Sequence, residues 1–146
     1  MKRTSLGLAL GLGFLALAAA GAGAALAAAA QPAPRLLYSE SQAAEGARVY
    51  GMRCAMCHGR QLEGTLETPA LTGKFVANWA GRPVGDLYDY LGRAMPQFAP
   101  GSLPPEEDAK VIAYILKANG YRPGGAPLPA DSAALGRIDL PAPGAP

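Results

Sequence analysis

Five consecutive residues, Cys54-Ala55-Met56-Cys57-His58, constrain this chain more than any other part of its 146 residues. They contain its only two cysteines and its only histidine. C-x-x-C-H is the attachment pattern of a c-type haem, and the spacing has a physical basis. On a helical turn, residues three apart lie on the same side, so two thiols placed there reach the two vinyl groups along one edge of a porphyrin. His58 then projects beneath the ring with a nitrogen toward the iron. Three other readings of the pair meet obstacles. A thioredoxin-like dithiol wants a strand-to-helix turn in an α/β fold, and no period-two stretch here is long enough for a strand. A zinc site needs four ligands, and two cysteines and one histidine fall short. A structural disulfide, common in exported chains, leaves His58 without a role.

Export is expected from residues 1–30. Lys2 and Arg3 form a charged start, an uncharged run follows over residues 4–30, and Ala28-Ala29-Ala30 offers a small-residue cleavage site before Gln31. This is the pattern of a signal peptide. The alternative is an uncleaved N-terminal anchor, because spanning a bilayer takes about 20 apolar residues; the Ala/Gly-rich second half of the run argues for cleavage. The expected location is the periplasm, with membrane association only if the segment stays attached. Without Lys2 and Arg3, the 13 basic residues become 11, equal to the 11 acidic ones, so the mature charge is zero. No basic cluster points to nucleic acid. The remaining domain of about 115 residues is small enough to gain from an internal staple.

Residues 31–38 read as a linker. A first helix is expected from Ser39 to about Met52 or Cys54, with Ser39 as cap and Gln42 completing a capping box. Gly46 inside it costs roughly 1 kcal/mol against Ala, which implies close approach of another helix. Residues 59–81 read as loop. Leu87, Tyr88 and Leu91 give a second helix over 84–93, and 95–105 is a Pro-rich loop. The last helix begins at Pro105, where a missing N–H costs nothing, with Glu106, Glu107 and Asp108 in the turn where negative charge is favoured. It ends near Lys117 and Gly120. Residues 39–121 form the domain, and 122–146 a Pro/Gly-rich tail with one helical turn around 131–135. The fold class is all-α, with three main helices and long loops around one covalently bound haem.

The sixth iron position has few candidates. A second histidine is absent from the sequence. Met52 and Met56 belong to the segment that holds the proximal side, so neither reaches the opposite face. Met95 opens a Pro-rich loop 37 residues after His58, long enough to pass round the ring. His58 and Met95 are therefore the expected axial ligands, which leaves no open position and suits a carrier better than a catalyst; a thioether also raises the potential. The far nitrogen of His58 needs an acceptor to fix its tautomer, and a carbonyl near Pro69 lies in the right part of the chain. Trp79 is either a donor to a haem propionate or a half-buried aromatic. Arg82 and Arg93 are candidate propionate partners, or solvated surface residues.

With these features in hand, the chain resembles the small monohaem class I cytochromes c over residues 39–121. Gly46 and Tyr50 match the family's first helix, and Ala113, Tyr114 and Leu116 its last. Pro69 and Leu71 match the family's pair behind the haem-binding histidine, which implies that the Pro69 carbonyl receives the histidine hydrogen bond. Met95-Pro96 matches its axial methionine and following proline. The run Pro100-Gly101-Ser102-Leu103, with Ala118-Asn119-Gly120-Tyr121 and Leu128-Pro129-Ala130-Asp131, is similar to cytochromes that accompany quinoprotein alcohol dehydrogenases. That likeness implies a separate dehydrogenase as electron donor and a terminal oxidase or another cytochrome as acceptor. Three functions follow in different classes: an electron carrier that is not an enzyme, a cytochrome subunit of a dehydrogenase complex with the tail wrapped on its partner, and a haem sensor or enzyme with a labile Met95.

Overall fold

The computed structural model describes residues 37–142. The expected signal segment, residues 31–36 of the expected linker and residues 143–146 of the tail lie outside the described residues. Leu37 and Tyr38, the last two linker residues, are buried in the core.

Helix α1 spans Glu40–Arg53, and the Ser39 hydroxyl caps it by accepting the Gln42 N–H at 3.2 Å. Gln42 does not return the bond, contrary to the expected capping box. Its side chain is buried and instead bonds both backbone groups of Leu128, donating at 2.9 Å and accepting at 2.8 Å. After a break at Cys54 comes α2, Ala55–His58. The stretch 59–81, expected as loop, contains one further helix, α3, at Lys74–Trp79. Six residues are too few to show a 3.6-residue period; what holds this helix is tertiary, the full burial of Val76.

Helix α4 covers Val84–Ala94 and buries Val84, Leu87 and Leu91 on one face. Helix α5 covers Pro105–Ala118, starts with proline in its first turn and buries Val111, Ile112, Ile115 and Leu116. No strand occurs among the described residues, and the architecture is all-α.

The frame is the crossing of α1 and α5. A β-carbon on Gly46 would sit 1.8 Å from the Lys110 carbonyl oxygen, so only glycine lets the backbones meet. Beside it, the Tyr50 and Tyr114 rings pack at 5.2 Å, and Glu45–Lys110 and Glu40–Lys117 ion pairs flank the crossing.

The segment 122–142 is not a free arm. Leu128, Leu135 and Leu140 are buried in the same core. Helix α6, Ser132–Leu135, is capped by the Asp131 carboxylate, and it falls where one helical turn is expected. Backbone bonds tie Ile138 to Val84 and Leu140 to both Gly81 and Arg82. Residues 122–142, the described part of the expected tail, thus pack on this chain's own core.

Candidate functional site

The break between α1 and α2 sets the geometry of the site. Cys54 caps α1 by donating its N–H to Tyr50, and the next turn begins at Ala55. The turn places Cys54, half-buried, and Cys57, exposed, on a cavity of about 430 Å³. His58, 8% exposed, lines the same cavity. Burial pushes the Cys54 thiol up to about 11, with further upward pressure from the Asp108 charge and an opposing pull from Arg53. In the protein alone it is a neutral thiol.

The chain then turns back on itself. Gly59 takes φ 78°, where an added β-carbon would strike the Glu63 carboxylate, and the Tyr50 hydroxyl fixes it by donating to its carbonyl at 2.6 Å. Burial raises the Tyr50 pKa, so this hydroxyl remains a donor. Gly64 N–H donates to the His58 carbonyl and Leu71 N–H to the Leu62 carbonyl, each at 2.8 Å. The curl brings the Pro69 carbonyl 2.9 Å from His58 Nδ1. With Nδ1 as the donor, Nε2 presents a lone pair, the state an iron ligand needs.

From a separate segment, Met95 ends α4 and lines the cavity together with Pro96 and Phe98. The structure thus brings Cys54, Cys57, His58, Pro69, Leu71 and Met95 to one cavity. Trp79 does not reach its wall. It packs behind the wall against Phe75 and Tyr90, with the Arg82 guanidinium 4.6 Å from its ring. Arg82 is paired with Asp86, and Arg93 lies over Tyr90.

Sequence reasoning missed several wall residues. Leu87 and Leu91 lie one helical turn apart on α4, and Val111 and Ile115 repeat that spacing on α5. The periodic apolar stripes signal a buried face, but nothing in them separates core from cavity. Asn119 was also missed as a positioning residue: its side chain donates to the Leu71 and Ile115 carbonyls and accepts from Gly73 N–H. Asp108 is 4% exposed, and its Oδ1 has no hydrogen-bond partner. Burial, then the neighbouring Glu107, push its carboxyl up to about 6.

The residues present fit a covalent c-type haem. The cavity wall is mostly apolar, suiting a flat hydrocarbon macrocycle, two thiols stand three residues apart at its edge, and an imidazole and a thioether come from separate segments. Arg53 supplies a buried Nε with no partner in the protein, the kind of donor that an acidic substituent on the ring satisfies.

A protein-family model described as cytochrome c oxidase, cbb3-type, subunit III, matches residues 41–115. Among solved structures, the chain is similar to one from the crystal structure of the sulfane dehydrogenase SoxCD from Paracoccus pantotrophus, with 26% identity and a TM-score of 0.49. The match covers 68% of this chain and 53% of that one, so this chain spans about half the length of its structural neighbour. Comparison with curated proteins gave no match.

Proposed function

The chain belongs to the monohaem class I cytochromes c, within the family described as cytochrome c oxidase, cbb3-type, subunit III, and we propose that it is an exported one-electron carrier whose iron is held between His58 and Met95. As a cytochrome c it bears covalently bound c-type haem and is an electron-transfer protein. Cys54 and Cys57 provide the two thioether links, and Leu71 adds to the apolar wall of the same cavity. When bound, the haem supplies a metal centre that changes by a single electron.

The observation that carries the ligation is the contact of His58 Nδ1 with the Pro69 carbonyl at 2.9 Å, with Met95 on the same cavity. The Pro69 carbonyl fixes the imidazole's tautomer and ring angle and makes it a better donor to iron. Met95 would hold the iron from a separate segment, where its soft sulfur would favour the reduced state. With two protein ligands, electron exchange would involve little rearrangement and small ligands would be excluded. No helix among the described residues is long and apolar enough to cross a membrane. Reduction by a separate dehydrogenase and oxidation by a terminal oxidase or another cytochrome complete the proposed role.

The test is spectroscopic. Oxidised holoprotein is expected to be low-spin with a weak near-infrared sulfur-to-iron band, and Met95→Ala to lose that band while gaining rapid carbon monoxide binding when reduced. Rapid carbon monoxide binding by the unaltered protein at neutral pH, or absence of the band, overturns the reading in favour of an open-site haem protein.

A further inference from the structure

Three aromatic side chains lead outward from the cavity. Phe75 on α3 and Tyr90 on α4 line it. Trp79 lies one turn beyond Phe75 on α3, with ring centroids 6.3 Å apart, and 5.7 Å from Tyr90, the planes inclined by 54° and 48°. Both separations fall in the range of direct edge-to-face contact. Trp79 is half-buried, and its outer side meets the exposed Arg82, whose guanidinium is 4.6 Å from the ring centroid and is held there by two bonds to Asp86 Oδ2. Arg93 lies 5.7 Å from the Tyr90 centroid.

Packing alone accounts for contact between α3 and α4, but it gives no reason for the sequence of rings from wall to solvent. Electron tunnelling decays steeply across gaps and more slowly through contiguous bonded and van der Waals-packed atoms. Delocalised orbitals on adjacent rings improve the coupling further. The face reached by this array is built from α3 and α4, whereas the exposed Cys57 and Phe98 belong to the α2 turn and the loop after Met95.

We propose that Tyr90 and Trp79 form an electron-transfer path from the haem cavity to the surface between α3 and α4, separate from the side of Cys57. This inference rests on the carrier reading above. The transfer moves one electron, converting iron(II) to iron(III) and reducing a one-electron acceptor at the Trp79 face. No bond is made or broken and no proton moves. Tyr90 and Trp79 remain closed-shell, serving as coupling orbitals. Arg82 and Asp86 hold the indole against Tyr90, and the Arg82 cation adds attraction to the face of its ring.

Photoinduced transfer in labelled holoprotein tests the path. A ruthenium bipyridine complex is attached at the exposed position 78 through Asn78→Cys, and in a second protein at the exposed position 61 through Gln61→Cys. Trp79→Leu and Tyr90→Leu are expected to slow transfer between the position-78 label and the iron at least tenfold, with Trp79→Phe restoring part of the rate. The same changes leave the rate from position 61 within twofold. The midpoint potential and the near-infrared band are read in every variant, so that loss of the Met95 ligand, which is failure of the carrier reading, is distinguished from failure of the path. An unchanged rate from position 78 in Trp79→Leu with the band intact overturns the proposal, as does equal slowing from both labels. If the leucine variants do not fold, Trp79→Phe against unaltered protein still decides: a rate that does not fall overturns it.

Discussion

The two walls of the cavity are built in different ways. The wall that carries His58 is braced from several directions: Tyr50 of α1 holds Gly59, the Pro69 carbonyl holds the imidazole, and Asn119 at the end of α5 holds Leu71 and Gly73. Within it Leu62 sits at φ 61°, a left-handed conformation that costs a non-glycine residue about 1 kcal/mol or more, sustained by burial and by its bond to Leu71. The wall that carries Met95 is held mostly by short-range turns, Met95 to Leu91, Ala99 to Pro96 and Ser102 to Ala99, plus two exposed side-chain bonds, Arg53 to Ser102 at 3.0 Å and Tyr88 to the Pro105 carbonyl at 3.3 Å. Phe98 stands exposed in its middle. Long-range bonds make a histidine's position a property of the whole fold, whereas a loop closed by its own turns can yield without unfolding the molecule. In this chain the histidine side is the fixed reference and the methionine side is the part that can give.

The sharpest way to break that comparison is to unbrace the histidine wall. Asn119→Ala removes two donated bonds and one accepted bond and leaves two carbonyls and an N–H to find water. At roughly 0.5–1.5 kcal/mol per net hydrogen bond, the loss is about 2–4 kcal/mol, read as a lower urea midpoint for the oxidised holoprotein followed at the haem absorbance. A loss below about 0.5 kcal/mol, inside the range of ordinary surface changes, would show that the wall does not depend on this brace.

Much of this arrangement can be read directly from the sequence, and the exceptions have a common cause. Cys54, Cys57 and His58 announce themselves because covalent attachment fixes residue type and spacing within one turn. Ser39 and Pro105 mark helix starts because the first turn's needs are local, and Gly46 marks the helix crossing because backbone contact excludes every other side chain. Contacts made across long stretches of sequence leave no such mark. Gln42 satisfies a local pattern on paper, yet its amide serves Leu128, 86 residues away. Asn119 looks like an ordinary helix end, while its bonds reach back to Leu71 and Gly73. Helix α3 has too few residues for a period, and the Pro/Gly-rich composition after Tyr121 hides three buried leucines at 128, 135 and 140 that dock it on the core. Trp79 belongs to the right neighbourhood but stands one layer behind the wall.

Asp108 sharpens the comparison at the joint between the walls. A β-carbon on Gly92 of α4 would lie 3.2 Å from its Oδ2, and its charge is felt at Cys54 and at Tyr88. Its carboxyl is pushed from 3.8 up to about 6, first by burial and then by Glu107. The folded chain therefore keeps a proton that the unfolded chain releases. The stabilisation is fully present below about pH 4 and is lost as pH rises through about 6. A tenfold difference in proton affinity between folded and unfolded chain is worth about 1.4 kcal/mol, which puts the loss on the order of 1–3 kcal/mol. Asp108→Asn keeps a neutral side chain at every pH, so its stability relative to the unaltered protein is expected to rise by that amount between pH 4 and pH 7.5 in urea titrations. A constant difference across that interval would show that the carboxyl titrates normally in the fold.

The smallest expected effect comes from the methionine wall. Ser102→Ala removes the bond from Arg53 that links the loop to α1, and that bond is exposed, so water replaces it at a cost below about 1 kcal/mol. The bond runs from Arg53 Nη2, not from the buried Nε of the same guanidinium. What the variant does alter is the attachment of the loop; on the proposed ligation by Met95, faster release of that side chain is expected, read in stopped-flow mixing of reduced protein with carbon monoxide. A rise in the slow binding rate with a nearly unchanged urea midpoint is the outcome that the comparison requires. If instead Ser102→Ala lowers the midpoint as much as Asn119→Ala does, the two walls are braced alike, because a single exposed bond would then carry as much as three bonds on the histidine side.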